Sequence, residues 1–91
     1  MKLEWSRLAF RDRNQIFDWL EQESPAVAAA MDEKIDAQAQ GLRRFPESGR
    51  VGRLPFTREL VITHSPYIAV YVIRSKTIRI LRVLHAAQQW P

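Results

Sequence analysis

Ninety-one residues, 46% of them hydrophobic and 26% charged, suffice for one domain but not two, and they exclude a disordered or low-complexity chain. The chain has no cysteine, which removes disulfide scaffolds, thiolate zinc sites and cysteine nucleophiles from consideration. The formal charge of +4 is lopsided: residues 1–47 hold seven basic and nine acidic side chains, whereas residues 48–91 hold seven basic ones against Glu59 alone.

At the N-terminus, Leu3 and Trp5 alternate with Lys2 and Glu4, which predicts a short half-buried strand, and Ser6 is placed to cap a helix after it. Glu4 also falls where a signal peptide would be apolar, so a soluble cytoplasmic domain is expected. From Arg7 to about Gln22, Ala9, Ile16, Phe17 and Leu20 form a helical face uninterrupted by Gly or Pro. Ser24-Pro25 restarts the chain as a helix, with a serine cap and proline at the first helical position. Val27, Met31, Ile35, Ala39, Leu42 and Phe45 then recur at three- and four-residue spacing up to Pro46, so the two helices form a hairpin.

Residues 46–55, with two prolines and two of the three glycines, read as a surface loop. Beyond it the period becomes two. Arg58–Thr63 is a strand, His64-Ser65-Pro66 a turn, Tyr67–Ile73 an apolar central strand, Arg74-Ser75-Lys76 a turn and Thr77–His85 a last strand, followed by the tail Ala86–Pro91. The longest apolar run is Tyr67–Ile73, far short of the roughly 20 residues a membrane helix needs, so no membrane partner is expected. The order β-α-α-β-β-β predicts an α+β domain over residues 1–91, with an N-terminal helical hairpin packed on a mostly antiparallel, twisted four-stranded sheet.

The chemistry on offer is limited. His64 and His85 lack an HxxxH spacing or a carboxylate cluster, so no metal or cofactor is expected. Ser48-Gly49-Arg50-Val51-Gly52-Arg53 lacks the Lys-Ser/Thr ending and the helix of a phosphate-binding loop. The basic C-terminal half suits a polyanionic or acidic partner, or a surface charged for solubility. Simple alternation along the last strand puts Arg79, Leu81, Val83 and His85 on one face, with Ile78, Ile80, Arg82 and Leu84 toward the helices. Arg82 is then half-buried and structural, paired with Glu59 or with an acid on a helix. Arg58, Arg79 and His85 on the exposed face would offer an imidazole for proton transfer and a bidentate phosphate grip, the parts needed to cleave RNA. A strand-end histidine also suits a purely structural role. Among the tryptophans, Trp5 is expected in the core, Trp19 off the apolar stripe as an exposed anchor for a protein partner or a hairpin filler, and Trp90 either pinning the tail or belonging to a binding surface.

Three segments carry a family resemblance: Arg58-Glu59-Leu60-Val61, Ser65-Pro66-Tyr67-Ile68-Ala69-Val70-Tyr71 and Ile80-Leu81-Arg82-Val83-Leu84-His85-Ala86-Ala87-Gln88-Gln89-Trp90-Pro91. Together with Trp5, Ala9, Asp18, Ser24-Pro25-x-x-Ala28-Ala29 and Phe45-Pro46-x-Ser48-Gly49-Arg50, they resemble the RelE/ParE superfamily over essentially the whole chain. The resemblance implies a toxin of a type II toxin–antitoxin, plasmid-stabilising module. Its partners would be an acidic antitoxin encoded next to it and either DNA gyrase or the translating ribosome with its mRNA. RelE-like nucleases carry an arginine where this chain has Ile68, and YoeB-like relatives follow the histidine with a tyrosine where this chain has Ala86. An apolar residue at Ile68 and the Val-Leu-His run resemble ParE-like gyrase poisons. The resemblance therefore favours gyrase, with Arg50, Arg53, Arg58, Arg79, His85 and Trp90 as target-binding residues. The alternatives are an mRNA endoribonuclease using His85, Arg58 and Arg79, and a non-toxic nucleic-acid-binding module.

Overall fold

In the computed structural model, which describes residues 1–91, two serines set where the helices begin. Ser6 Oγ accepts the Ala9 N–H (3.0 Å) and donates to Leu81 O (2.8 Å), so one hydroxyl caps a helix and ties it to a strand 75 residues away. Ser24 Oγ accepts the Val27 N–H with Pro25 at the first turn. The elements are β1 (Lys2–Trp5), α1 (Arg7–Glu21), α2 (Pro25–Gln40), a 3-10 turn (Gly41–Arg43), β2 (Arg50–Val51), β3 (Arg58–Val61), β4 (Tyr67–Arg74) and β5 (Thr77–His85). No helix is long and apolar enough to cross a membrane. The hairpin is cross-linked by Arg13, whose Nε and Nη2 reach the two Asp32 oxygens at 3.0 Å each while its guanidinium lies 4.4 Å from the Trp5 ring centre.

The sheet has the order β1-β5-β4-β3-β2, antiparallel except for the parallel β1–β5 pair. Its inner face, under the helices, carries Tyr67, Ala69, Tyr71, Ile78, Ile80 and Val83 packed with Ala9, Ile35, Ala39, Leu42 and Ile62. Each fully buried Ile or Leu contributes on the order of 1.5–3 kcal/mol, so this cluster dominates folding. A smaller cluster, Ile68, Val70 and Leu84, lies on the outer face, and Trp90 packs over it.

Two features depart from the sequence expectation. The sheet has five strands, because Arg50 and Val51 pair with Glu59 and Arg58. The Tyr71 hydroxyl holds this segment down, donating to Pro46 O (2.7 Å) and accepting from Gly49 N (3.0 Å). A Cβ on Gly49 would lie 2.6 Å from that oxygen, so only glycine permits the approach. The second departure is a bulge. The β4–β5 register runs Val70↔Arg82 and then Tyr71↔Ile80, leaving Leu81 as the extra residue. One extra residue flips the alternation, so Ile78, Ile80 and Val83 all face the helices. The expectations that Leu84 and Arg82 point inward and that Val83 and His85 point outward are therefore corrected. Leu84 joins the outer cluster, Arg82 pairs with outer-face Val70, and His85 pairs with inner-face Tyr67.

Candidate functional site

Because β1 ends at Trp5 opposite Ile80, the second half of β5 has no strand on that side, and Asp12 of α1 covers the open edge. Asp12, 7% exposed, accepts three N–H groups: Arg82 Nε (2.8 Å), Arg82 Nη2 (3.0 Å) and the backbone N–H of Val83 (2.8 Å). The hydrogen bonds from Arg82 to this carboxylate raise the arginine's pKa against the opposing effect of burial. Arg82 is thus gripped by α1 on one side and lies 5.5 Å from the Trp90 ring centre on the other. Asp12 is the residue that sequence reasoning missed. Its signal was an acid set between Ala9 and Ile16 on the apolar stripe of the helix.

On the far side of the outer face, Glu59 is 2% exposed and holds the 50–53 segment. It accepts Arg50 Nη2 (3.1 Å) and the Arg53 N–H (3.0 Å), with Arg53 Nε at 3.6 Å. Burial pushes the Glu59 pKa up, but the Arg53 N–H, the Arg50 hydrogen bond and both positive charges outweigh it and hold the carboxyl below its ordinary value. Arg53 also donates to Trp90 O (3.3 Å), so the tail is clamped across the outer cluster by two arginines. Arg50, Arg53, Arg79, Arg82 and Trp90 therefore share the outer face, a basic surface around one aromatic ring. A cavity of about 550 Å³ opens beside it, between the start of α1 and β5, lined by Arg7, Leu8, Arg79, Leu81, Arg82 and Trp90.

The expected trio of Arg58, Arg79 and His85 is not brought together. Arg79 pairs with Val72 on the outer face and binds Glu4 at 2.9 Å. Arg58 pairs with Tyr71, on the opposite face, and its Nη1 donates to Gly49 O (2.9 Å) and Glu47 O (3.2 Å). His85 lies six residues along β5 from Arg79, roughly 20 Å at 3.3 Å per residue, and also on the opposite face. Its Nδ1 accepts the Ala87 N–H (3.1 Å), which puts the proton of the neutral ring on Nε2. Its ring stands edge-on to Tyr67, centroids 5.7 Å apart, at the mouth of a cleft of about 190 Å³ between α1 and the end of β5. Trp19, 69% exposed, projects from α1 outside the core.

A family model described as the ParE toxin of type II toxin–antitoxin systems, parDE, matches residues 3–90. Y4kP of Sinorhizobium fredii, a toxin candidate by its name, is 40% identical over 90 residues, spanning 99% of this chain and 93% of that protein. Toxin RelE2 of Caulobacter vibrioides is 33% identical over 92% of this chain and 93% of its own. Among solved structures, the chromosomal ParDE toxin–antitoxin system of P. aeruginosa superposes with a TM-score of 0.85 at 28% identity, covering 93% of this chain and 95% of that one. The toxin–antitoxin complex RelBE of E. coli shares the fold, with a TM-score of 0.68 at 14% identity over 96% of this chain and 98% of that one.

Proposed function

Because this chain belongs to the ParE toxin family and is the toxin of a type II toxin–antitoxin system, we propose that it arrests bacterial growth by poisoning DNA gyrase and is silenced by an acidic antitoxin encoded beside it. One observation carries the choice of gyrase: the groups a nuclease would use are dispersed. Cleavage at a 2′-hydroxyl needs a base, an acid and a cation within a few ångströms of one phosphate. Here Arg79 is on one face of the sheet, Arg58 and His85 are on the other, and each has a partner. The position where RelE-like nucleases carry an arginine is Ile68, 2% exposed, in the cluster that Trp90 covers. The imidazole of His85 would have to break its bond to the Ala87 N–H before Nδ1 took a proton. What the outer face offers instead is charge and shape for protein or DNA: Arg53 bonded to Trp90 O, Arg79 lining the same cavity as Trp90, and Arg50 beyond them at Glu59.

The likeness to toxin RelE2 favours a second reading, mRNA cleavage on the ribosome, in which His85 exchanges a proton. The two diverge in cells. Expressed alone, a gyrase poison produces filaments and a DNA-damage response, and the neighbouring antitoxin frame restores growth. A ribosome-dependent nuclease stops translation within minutes and leaves mRNA cut at codons. Unimpaired growth at verified expression, with salt-sensitive binding to bare DNA or RNA, would point to a non-toxic nucleic-acid-binding module. The variants separate the readings as well. Arg79→Glu is expected to abolish toxicity in a folded protein, and His85→Ala to retain part of it. A nuclease would instead lose about 10²–10⁴ in rate on losing His85.

A further inference from the structure

The cleft between α1 and the end of β5 gathers three side-chain donors that no group within the protein engages. Tyr67 is 7% exposed and lines it, and its backbone N–H bonds to Ser65 Oγ while its hydroxyl has no partner within the protein. That hydroxyl stays open to the cleft, since the one sealed side-chain polar atom without a partner is Trp90 Nε1. Burial raises the Tyr67 pKa, so the group bears its proton at neutral pH. Beside it, His85 has its Nδ1 occupied by Ala87 and presents Nε2–H. Arg82 spends Nε and Nη2 on Asp12 and keeps Nη1. The one carboxylate in the lining, Asp12, is already engaged by three N–H groups. The amides of Gln15 and Gln88 complete the rim.

Three unengaged donors, set against one carboxylate already in use and two amides that can turn either way, favour an anion or a carbonyl. The fixed charges, Asp12 and Arg82, cancel, so the cleft favours a monoanionic carboxylate over a dianionic phosphate, which would need a net positive lining. Its volume of about 190 Å³ suits one side chain. The cleft also continues along α1: Asp12, Gln15, Ile16 and Trp19 follow the spacing that puts residues on one helix face, with neighbouring turns about 5–6 Å apart. The exposed Trp19 ring therefore stands one turn beyond Gln15 on the rim of the cleft.

We propose that this cleft is a recognition pocket for one Asp or Glu side chain of the antitoxin, bound by Tyr67 Oη, His85 Nε2 and Arg82 Nη1, with an apolar antitoxin residue three or four positions away resting on Trp19. The inference rests on the toxin–antitoxin reading and deepens it. It makes Trp19 half of a two-point contact and gives His85 a donor's role toward the antitoxin.

A double-mutant cycle tests it, using the full chain and the antitoxin encoded beside it. Tyr67→Phe removes one hydroxyl and keeps the ring, and Gln15→Ala on the exposed rim gives a second variant whose folding is not at issue. Tyr67→Phe is expected to weaken the complex about tenfold, the size of one hydrogen bond to a charged group. When each antitoxin Glu is changed to Gln and each Asp to Asn, one position is expected to absorb that loss, so that its change costs little more in the Tyr67→Phe background. Affinities within twofold of wild type for both toxin variants, or coupling to no acidic position, would overturn the pocket while leaving the toxin reading intact. A wild-type chain that binds no antitoxin would overturn that reading and the pocket together.

Discussion

Two buried carboxylates fasten opposite margins of the same sheet, and they fasten different things. Asp12 joins residues 70 positions apart, α1 to the unpaired edge of β5, and three N–H groups depend on it. Glu59 joins β3 to a loop six to nine residues away, through arginines whose side chains are 55% and 37% exposed. Removing a buried acceptor costs most where the donors cannot turn to water and where the link closes a long stretch of chain. The Asp12 margin is therefore part of the folding core, whereas the Glu59 margin can open while the rest stays folded.

The largest effect is expected at the first margin. Asp12→Ala leaves Arg82 and the Val83 N–H unpaired beneath α1 and should lower unfolding free energy by about 3–5 kcal/mol in urea titrations. That is a large share of the stability of a chain this size. At the second margin, Tyr71→Phe removes the hydroxyl bridging Pro46 O and Gly49 N and should cost about 1–2 kcal/mol. Hydrogen exchange is expected to show the Gly49 amide losing protection while the β4–β5 amides keep theirs. An equal loss of protection across β4 and β5 would merge the two margins into one unit.

Acid should act through Glu59. Its folded-state pKa lies below the ordinary 4.5, so the folded state holds fewer protons than the unfolded one in that range. The stabilisation is present above pH 4.5 and is lost as pH falls through that value toward the folded-state pKa. Glu59→Gln should cost about 1 kcal/mol at pH 7, a modest figure because its partners are partly exposed, and should flatten the decline of stability below pH 4.5. The smallest expected effect lies between the margins. Ser75 and Lys76 turn β4 into β5 with φ of 49° and 61°, where Asn-Gly is favoured. Ser75→Asn with Lys76→Gly should therefore stabilise both margins alike by about 0.5–1 kcal/mol.

The helices, their serine caps and the last three strands were legible because their period and capping residues act locally, as Ser24-Pro25 and Tyr67–Ile73 show. Residues 50 and 51 form a strand only because Tyr71 and Arg58 pin the preceding loop, an interaction no short window contains. The bulge at Leu81 was hidden in the same way, since Ile-Leu-Arg-Val-Leu reads equally well in either alternation. That single residue decides which face His85 occupies, while six residues of strand keep it from Arg79 on either face. The need of Arg82 for a carboxylate was legible, but its choice of Asp12 over Glu59 waited on the fold.

The most direct measurement is a supercoiling assay with the purified protein, DNA gyrase and relaxed plasmid, run beside a translating extract. Inhibited supercoiling with accumulation of cleaved plasmid, and intact mRNA in the extract, is the expected result. Normal supercoiling together with codon-specific cleavage of mRNA, abolished by His85→Ala in a folded protein that still binds antitoxin, would contradict it.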